Sequence, residues 1–567
     1  MIVAREDESR SHVASGAWGR VTLDQIVARN AQARPDHPAV ADFADRAAWT
    51  GGEPESLTWA ELDARVEALA AFFAAVGLLP DGVVAVQMPP TIDAVVALLA
   101  ASRAGLIVAP LPLAAREAEA AELCGRLGAR AVVTVAHTEG EMHGERLRDV
   151  AAELFQIRFV FGAGGDLPDG LVDLRRVFEE AGSLGAAPEI QRKGNPADHI
   201  VTVELATLAL PSDEGTAEEG NRSLPLPRSH NHWIAAGLMS LLEAGIGADA
   251  VIVSPFAASG TVGIGAGLIP WLVAGATLVT GLPRSSDTLA EEAERHGATH
   301  VLVGDRFAAR LADRLSLRRL APTLLVVAED EPHDRPLPAG TDVVDVARLG
   351  LFGLIAHRRR EPSGPAPLPI GACAAPAGAT GAPVLVETRL KGIPQRAGQM
   401  IAGRPLAGEV QVRGAMVPHF NWPATDRERR HRTRDADGWQ PTGLGARIVT
   451  AQPPTFELAG RIDDAVRIGQ SLRDLALVDE LYRSIEGVAD AAALVVETAE
   501  SGPIVAAAVV PNPGRRFDED AFRAAVAERR AGLAEIPARV FTVPAIARGP
   551  SGRVLRAGMA QHLMTRV

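Results

Sequence analysis

Arg553 sits in the segment Pro550-Ser551-Gly552-Arg553-Val554-Leu555-Arg556, in a chain whose only lysines are Lys193 and Lys391. Arginine is a planar fork of donors and lysine a compact point donor, so exchanging them matters little on a surface and changes geometry at a reacting centre. Abundant Ala, Gly, Pro and Arg are what a GC-rich coding sequence produces. That accounts for arginine being so much commoner than lysine here. A second candidate is Gly215-Thr216-Ala217-Glu218-Glu219-Gly220-Asn221-Arg222-Ser223-Leu224. Gly215, Thr216 and Gly220 are material for a loop, whereas Glu218 and Glu219 would repel an anion placed against it. The alternative is a solvated acidic surface loop. In Leu351-Phe352-Gly353-Leu354-Ile355-Ala356, neither Ile355 nor Ala356 offers oxygen to a hard cation, so this reads as a plain buried strand end. Cys124 and Cys373 are far apart and lack ligand-like spacing, so no metal set and no disulfide framework is expected.

The elements that must position these residues follow from hydrophobic period. Gly82–Met88 reads as a buried strand, Thr91–Arg103 as a helix, Leu106–Pro110 as a strand, Ala115–Leu127 as a helix and Ala129–Val135 as a strand. That βαβα rhythm implies parallel pairing with right-handed crossovers. Similar strands are expected at His199–Leu210, Ala250–Ser254, Ala276–Thr280, His300–Val303, Thr323–Ala328 and Asp342–Ala347. After about Val384 the strands become shorter and turn-bounded, as in Gly408–Gly414, which suits a small β-rich subdomain at about 384–460. From about Gly460 a separate α+β pattern begins: helix Leu477–Ile485, strands Ala491–Glu497 and Ile504–Val510, helix Glu519–Arg530. The fold class expected is α/β, a large N-terminal domain (1–460) of parallel-rich sheets, followed by a small α+β domain (461–567).

With 567 residues the chain exceeds one core, and 47% hydrophobic with 22% charged residues is ordinary globular material. A net charge of −13 argues against nucleic acid as partner. Met1–Glu8 is acidic and has no apolar signal core, and with so few cysteines a cytoplasmic location is expected. Ala250–Pro283 carries no charge and is long enough to cross a bilayer. Pro255, Pro270 and the glycines at 260, 263, 265 and 267 instead favour a buried strand–helix–strand.

An ordered set of motifs resembles the adenylate-forming superfamily of acyl- and aryl-CoA synthetases, luciferases and peptide-synthetase adenylation domains. Leu57-Thr58-Trp59-Ala60-Glu61-Leu62 resembles L-T-[YW]-x-E-L, Gly408–Gly414 resembles G-E-[IV]-x-V-R-G, and Asp437-Gly438-Trp439 with Thr442-Gly443 resembles D-G-W-x-x-T-G-D. Gly460-Arg461-Ile462-Asp463-Asp464 is similar to the hinge pattern G-R-x-D-D, and Pro550–Arg556 to P-S-G-K-x-x-R. The likeness runs from about Val21 to the end, and it is order and spacing that carry it.

In that family a carboxylate attacks the α-phosphate of Mg·ATP, a lid domain then rotates about a hinge, and a thiol such as CoA takes the acyl group. The resemblance implies a hinge at Asp463, ATP, magnesium and CoA as ligands, and a small-molecule carboxylate or acyl-CoA as partner, with a homodimer left open. It also implies four departures. Arg553 replaces the lid lysine. Counting back from Ser229-His230-Asn231-His232 places the phosphate loop at Gly215, Thr216 and Gly220, with Leu224 at its lysine position. Ala356 stands at the magnesium glutamate, leaving Phe352 and Gly353 to cover an adenine. Leu444 follows Thr442-Gly443 where an aspartate would hold the ribose, with Arg461 left as a ribose or phosphate partner or a hinge-packing residue. Pro255-Phe256-Ala257-Ala258-Ser259-Gly260 resembles the acyl-pocket motif P-x-[FY]-H-x-x-G, with Ala258 at the histidine. Small residues there enlarge a pocket or fill a core.

The functions compatible with these residues are an acyl-CoA synthetase impaired in adenylation, a degenerate acyl-, CoA- or nucleotide-binding or regulatory protein, and transfer from a preformed thioester or adenylate.

Overall fold

The computed structural model describes residues 1–567 except 184, 208–222, 329–336, 360–363, 393–399, 402–403, 406, 419–421, 423–434, 436, 462–464, 469–470, 499–501, 513–516, 530–534, 549–553, 555 and 565–567. The chain divides into two compact units. The first comprises Met1–Leu111, Gly125–Leu205 and Pro225–Ile462, and the second is built on Asp463–Val567 together with Pro112–Cys124. Pro112–Cys124 was expected with the N-terminal domain; its grouping follows spatial proximity, which order along the chain does not encode.

Two large sheets dominate the first unit. One has eight strands, whose central members Val343–Leu349, Thr323–Ala328, His300–Gly304, Val251–Ser254, Thr277–Thr280 and Pro38–Asp42 run parallel. Antiparallel strands Gly353–Arg358 and Ser56–Thr58 close its two edges. The other has seven strands and is parallel from Val172–Asp173 through Phe159–Ala163, Ala129–Val135, Val83–Gln87 and Ile107–Pro110 to Ile200–Thr207. Strand Ser223–Ser229 adds its outer edge. Val- and Leu-rich runs suit strands covered on both faces, because neither side needs a polar residue for water.

Helices meet these sheets with ends set by local chemistry. Thr58 caps helix Trp59–Ala75, its hydroxyl accepting from the Glu61 amide while the Glu61 carboxylate returns to the Thr58 amide at 2.8 Å. This capping box lies within the L-T-W-x-E-L segment. Trp59 then stacks on Trp271, ring centres 5.1 Å apart. Thr91 caps helix Ile92–Arg103, almost all of which is buried.

The uncharged stretch resolves into strand Val251–Ser254, a π-helix Gly260–Leu268, helix Ile269–Ala274 and strand Thr277–Thr280. Pro270 falls in the first turn of its helix, where a missing N–H does no harm. Among the described residues no helix is long and apolar enough to cross a membrane.

The β subdomain is a six-stranded sheet that opens at Leu368–Pro369 and Gly371–Ala374, ahead of the expected Val384, and ends with Pro454–Arg461. Strands of two and four residues among Gly and Pro leave too short a period to read. The second unit carries an antiparallel pair, Val488–Thr498 with Gly502–Pro511, joined in parallel by Arg539–Thr542 and covered by helices Leu475–Arg483, Glu519–Glu528 and Arg556–Met564.

Candidate active site

Gly215, Thr216 and Gly220, the hinge residue Asp463 and Arg553 lie outside the described residues. The remaining predicted positions fall into two groups, both in the first unit.

Thr442, on strand Gln440–Ala451, is buried and fully used by its own sheet. Its hydroxyl donates to the Val410 carbonyl at 2.7 Å and accepts the Leu444 amide at 3.2 Å. Leu444 is fully buried and pairs in register with Arg461. The turn before Gly353 comes in on the same strand: a Cβ added at Gly350, which has φ +63°, would lie 2.9 Å from the Thr442 carbonyl. Beside it, the Leu354 amide meets the Met416 sulfur at 3.4 Å, which lies only 2.8 Å from a Cβ added at Gly353. Phe352 is 1% exposed, so its ring is enclosed by protein. Phe352, Gly353, Thr442 and Arg461, more than a hundred residues apart at the extremes, are thus brought into one neighbourhood.

Ile355 and Ala356 continue into strand Gly353–Arg358, where Ala356 pairs with Val346 and both side chains are buried. A hard cation needs oxygen ligands, and neither of these side chains supplies one. No group of three or more His, Cys, Asp or Glu side chains suited to a metal occurs among the described residues.

The second group begins where strand Val251–Ser254 ends. The Phe256 amide reaches the Ser254 hydroxyl at 3.4 Å, and the chain then passes through Ala258 to Gly260, at φ +63°. Phe256, Ala258 and Gly260 are each half-buried. From Gly260 the backbone winds into the π-helix, a form concentrated at functional sites.

Two charged residues absent from the sequence-based set join these groups. Arg228, its side chain 2% exposed, donates from Nη1 to Glu204 at 2.9 Å and from Nη2 to the Leu351 carbonyl. Its guanidinium lies over the Trp233 ring at 4.7 Å. The other oxygen of Glu204 accepts the Gly260 amide at 2.8 Å. Burial pushes Arg228 below the usual guanidinium range, the Glu204 carboxylate opposing it. The signal was present in sequence as one acid and one base on two otherwise uncharged strands, Ile200–Thr207 and Ser223–Ser229.

The landmark Ser229-His230-Asn231-His232 opens helix His230–Ala244. Ser229 and His232 form a reciprocal cap, and the Asn231 side chain donates to Asp198 at 2.7 Å. His230 accepts the Leu23 amide, and burial holds its imidazole well below the usual range. These side chains fix the helix start.

A family model described as "AMP-binding enzyme" matches residues 27–178. A CoA ligase for a methyl-dioxo-octahydroindenyl propanoate from Rhodococcus jostii is 26% identical over 91% of this chain and 96% of that protein. The chain is thus similar to AMP-binding enzymes and to CoA ligases. The salicyl-AMP ligase/salicyl-S-ArCP synthetase of Mycobacterium tuberculosis is 29% identical, over 52% of this chain and about half (48%) of that protein's length. Among solved structures, apo MbtA of Mycobacterium smegmatis covers 98% of each chain with a TM-score of 0.62 and 21% identity, a likeness of fold.

Proposed function

We propose that this protein is an acyl-CoA synthetase-like member of the adenylate-forming superfamily, with ATP, a small carboxylic acid and CoA as ligands, and with adenylation weak or impaired. The observation that carries the second half is Ala356. Where the family places a glutamate for magnesium, this chain has a buried methyl group paired into a strand. Leu444 supports the same reading: a fully buried leucine stands where a ribose-binding carboxylate would. A charge-assisted hydrogen bond is worth about 1.5–3 kcal/mol. Its loss alone weakens ATP by roughly ten- to a hundredfold.

Within this reading Phe352, Gly353, Thr442 and Arg461 border the nucleotide, joined by Gly215, Thr216 and Gly220. Phe256, Ala258 and Gly260 border the acid, Asp463 is the hinge, and Arg553 takes the place of the lid lysine. The second reading, an acyl-, CoA- or nucleotide-binding protein without adenylation, draws on the same two apolar positions.

Calorimetry of ATP binding, with and without magnesium, together with pyrophosphate exchange separates them. The impaired ligase binds ATP at micromolar to millimolar concentration and shows slow carboxylate-dependent pyrophosphate exchange that disappears in Arg553→Ala. Absence of heat at millimolar ATP overturns the ligase reading, and fast magnesium-dependent exchange overturns the impairment.

A further inference from the structure

We propose that the Glu204–Arg228 ion pair is a positioning element of this site, setting the distance between its acid side and its nucleotide side; the assignment of those sides rests on the proposed function. One unbroken path supports it. The Gly260 amide donates to one oxygen of Glu204 at 2.8 Å, and the other oxygen accepts from Arg228 at 2.9 Å. Arg228 then donates to the carbonyl of Leu351, the residue before Phe352 and Gly353.

Packing does not duplicate this path at Gly260. A Cβ there would meet nothing within 4 Å, so the amide is held by the carboxylate and not by neighbours filling space. Arg228 is held from the other side by the Trp233 face. The pair is also cross-strand: Glu204 and Arg228 sit on the two strands that lead into and out of residues 208–222. The Gly260 and Leu351 segments therefore share one ion pair, with Arg228 buried and Glu204 half-buried, and neither partner can leave without stranding the other's charge.

Both residues act through backbone groups of others, so they are positioning residues. Their removal separates the segments without deleting a ligand contact. A misplacement of about 1 Å between reacting groups lowers rate by about a hundredfold while each ligand still binds.

Hydrogen exchange on the full-length protein tests this without requiring activity. Exchange is followed over 256–260 and 351–354 and normalised to strand Val251–Ser254. In Glu204→Gln and in Arg228→Met, both segments are expected to exchange at least about tenfold faster, by the loss of protection that follows from one shared hydrogen-bond path. The double variant Glu204→Gln/Arg228→Met carries no stranded charge and keeps the test available if a single variant does not fold. Acceleration in one segment alone, or in neither, overturns the proposal. Where wild type shows pyrophosphate exchange, Glu204→Gln lowers its kcat about a hundredfold with the ATP Kd within about threefold; loss of ATP binding of the same size overturns it. An inactive wild type retires the proposed activity and leaves the hydrogen-exchange result to stand.

Discussion

At the scale of single residues, burial decides which side chains are available for chemistry. His143 illustrates the consequence away from the site. It is 2% exposed, its ring 3.3 Å from the Gln87 side chain, and burial, with Arg146 beside it, pushes its imidazole down to about 4. Unfolded, the same ring titrates near 6.5. Because the folded value is the lower one, its contribution to stability is complete above pH 6.5 and is lost as pH falls toward 4. At about 1.4 kcal/mol per tenfold change in proton affinity, that amounts to about 3 kcal/mol. Urea denaturation at pH 7 and pH 4 should therefore show a pH-dependent loss smaller by about this amount in His143→Asn than in wild type. His230 makes the comparison with a variant necessary, since it is buried neutral as well. An equal loss in both proteins would locate the acid sensitivity elsewhere.

Among the elements, the π-helix Gly260–Leu268 is the one that local preference would not build. Its wide turn brings the Ala257 carbonyl inward, so that a Cβ on Gly263 would lie 1.7 Å from that oxygen. Backbone cannot swing away as a side-chain end can. Gly260 is the contrast: its φ of +63° favours glycine, but a Cβ there meets open space. A left-handed non-glycine residue costs about 1–2 kcal/mol. Overpacking costs about 1–3 kcal/mol and more when the neighbour is rigid. Gly263→Ala should thus lose more stability than Gly260→Ala in urea melts, by at least about 1 kcal/mol. The reverse order would mean that the turn relaxes easily. The shape of this turn therefore rests on these two small residues.

Across the whole molecule, the two units have cores of their own. The second contains a cluster around Leu475, Tyr482, Ala493, Val509 and Phe522, and another around Leu494, Val496, Val554, Met559 and Leu563. Asp479 joins helix Leu475–Arg483 to the last helix through a bidentate pair with Arg556 at 2.9 and 2.7 Å, and it also accepts the Ala493 amide. Arg556 ends the Pro550–Arg556 motif, so the residue three places after Arg553 is anchored to the unit's own core. Removing one partner of a buried pair costs about 3–5 kcal/mol. Calorimetric unfolding of Asp479→Ala should lower the transition of the second unit and leave that of the first in place. A joint shift of all heat absorption would show that the units melt as one. Sequence alone determined the alternation of helices and strands, the family motifs and the apolar residues at positions 356, 444 and 224, because period and spacing are local properties. It did not supply the junction of the Gly260 and Leu351 segments at Glu204 and Arg228. Those two are 24 residues apart, and Arg228 meets Leu351 across 123 more. Only sheet pairing and burial bring them together, and only a closed low-dielectric interior makes their charges depend on each other.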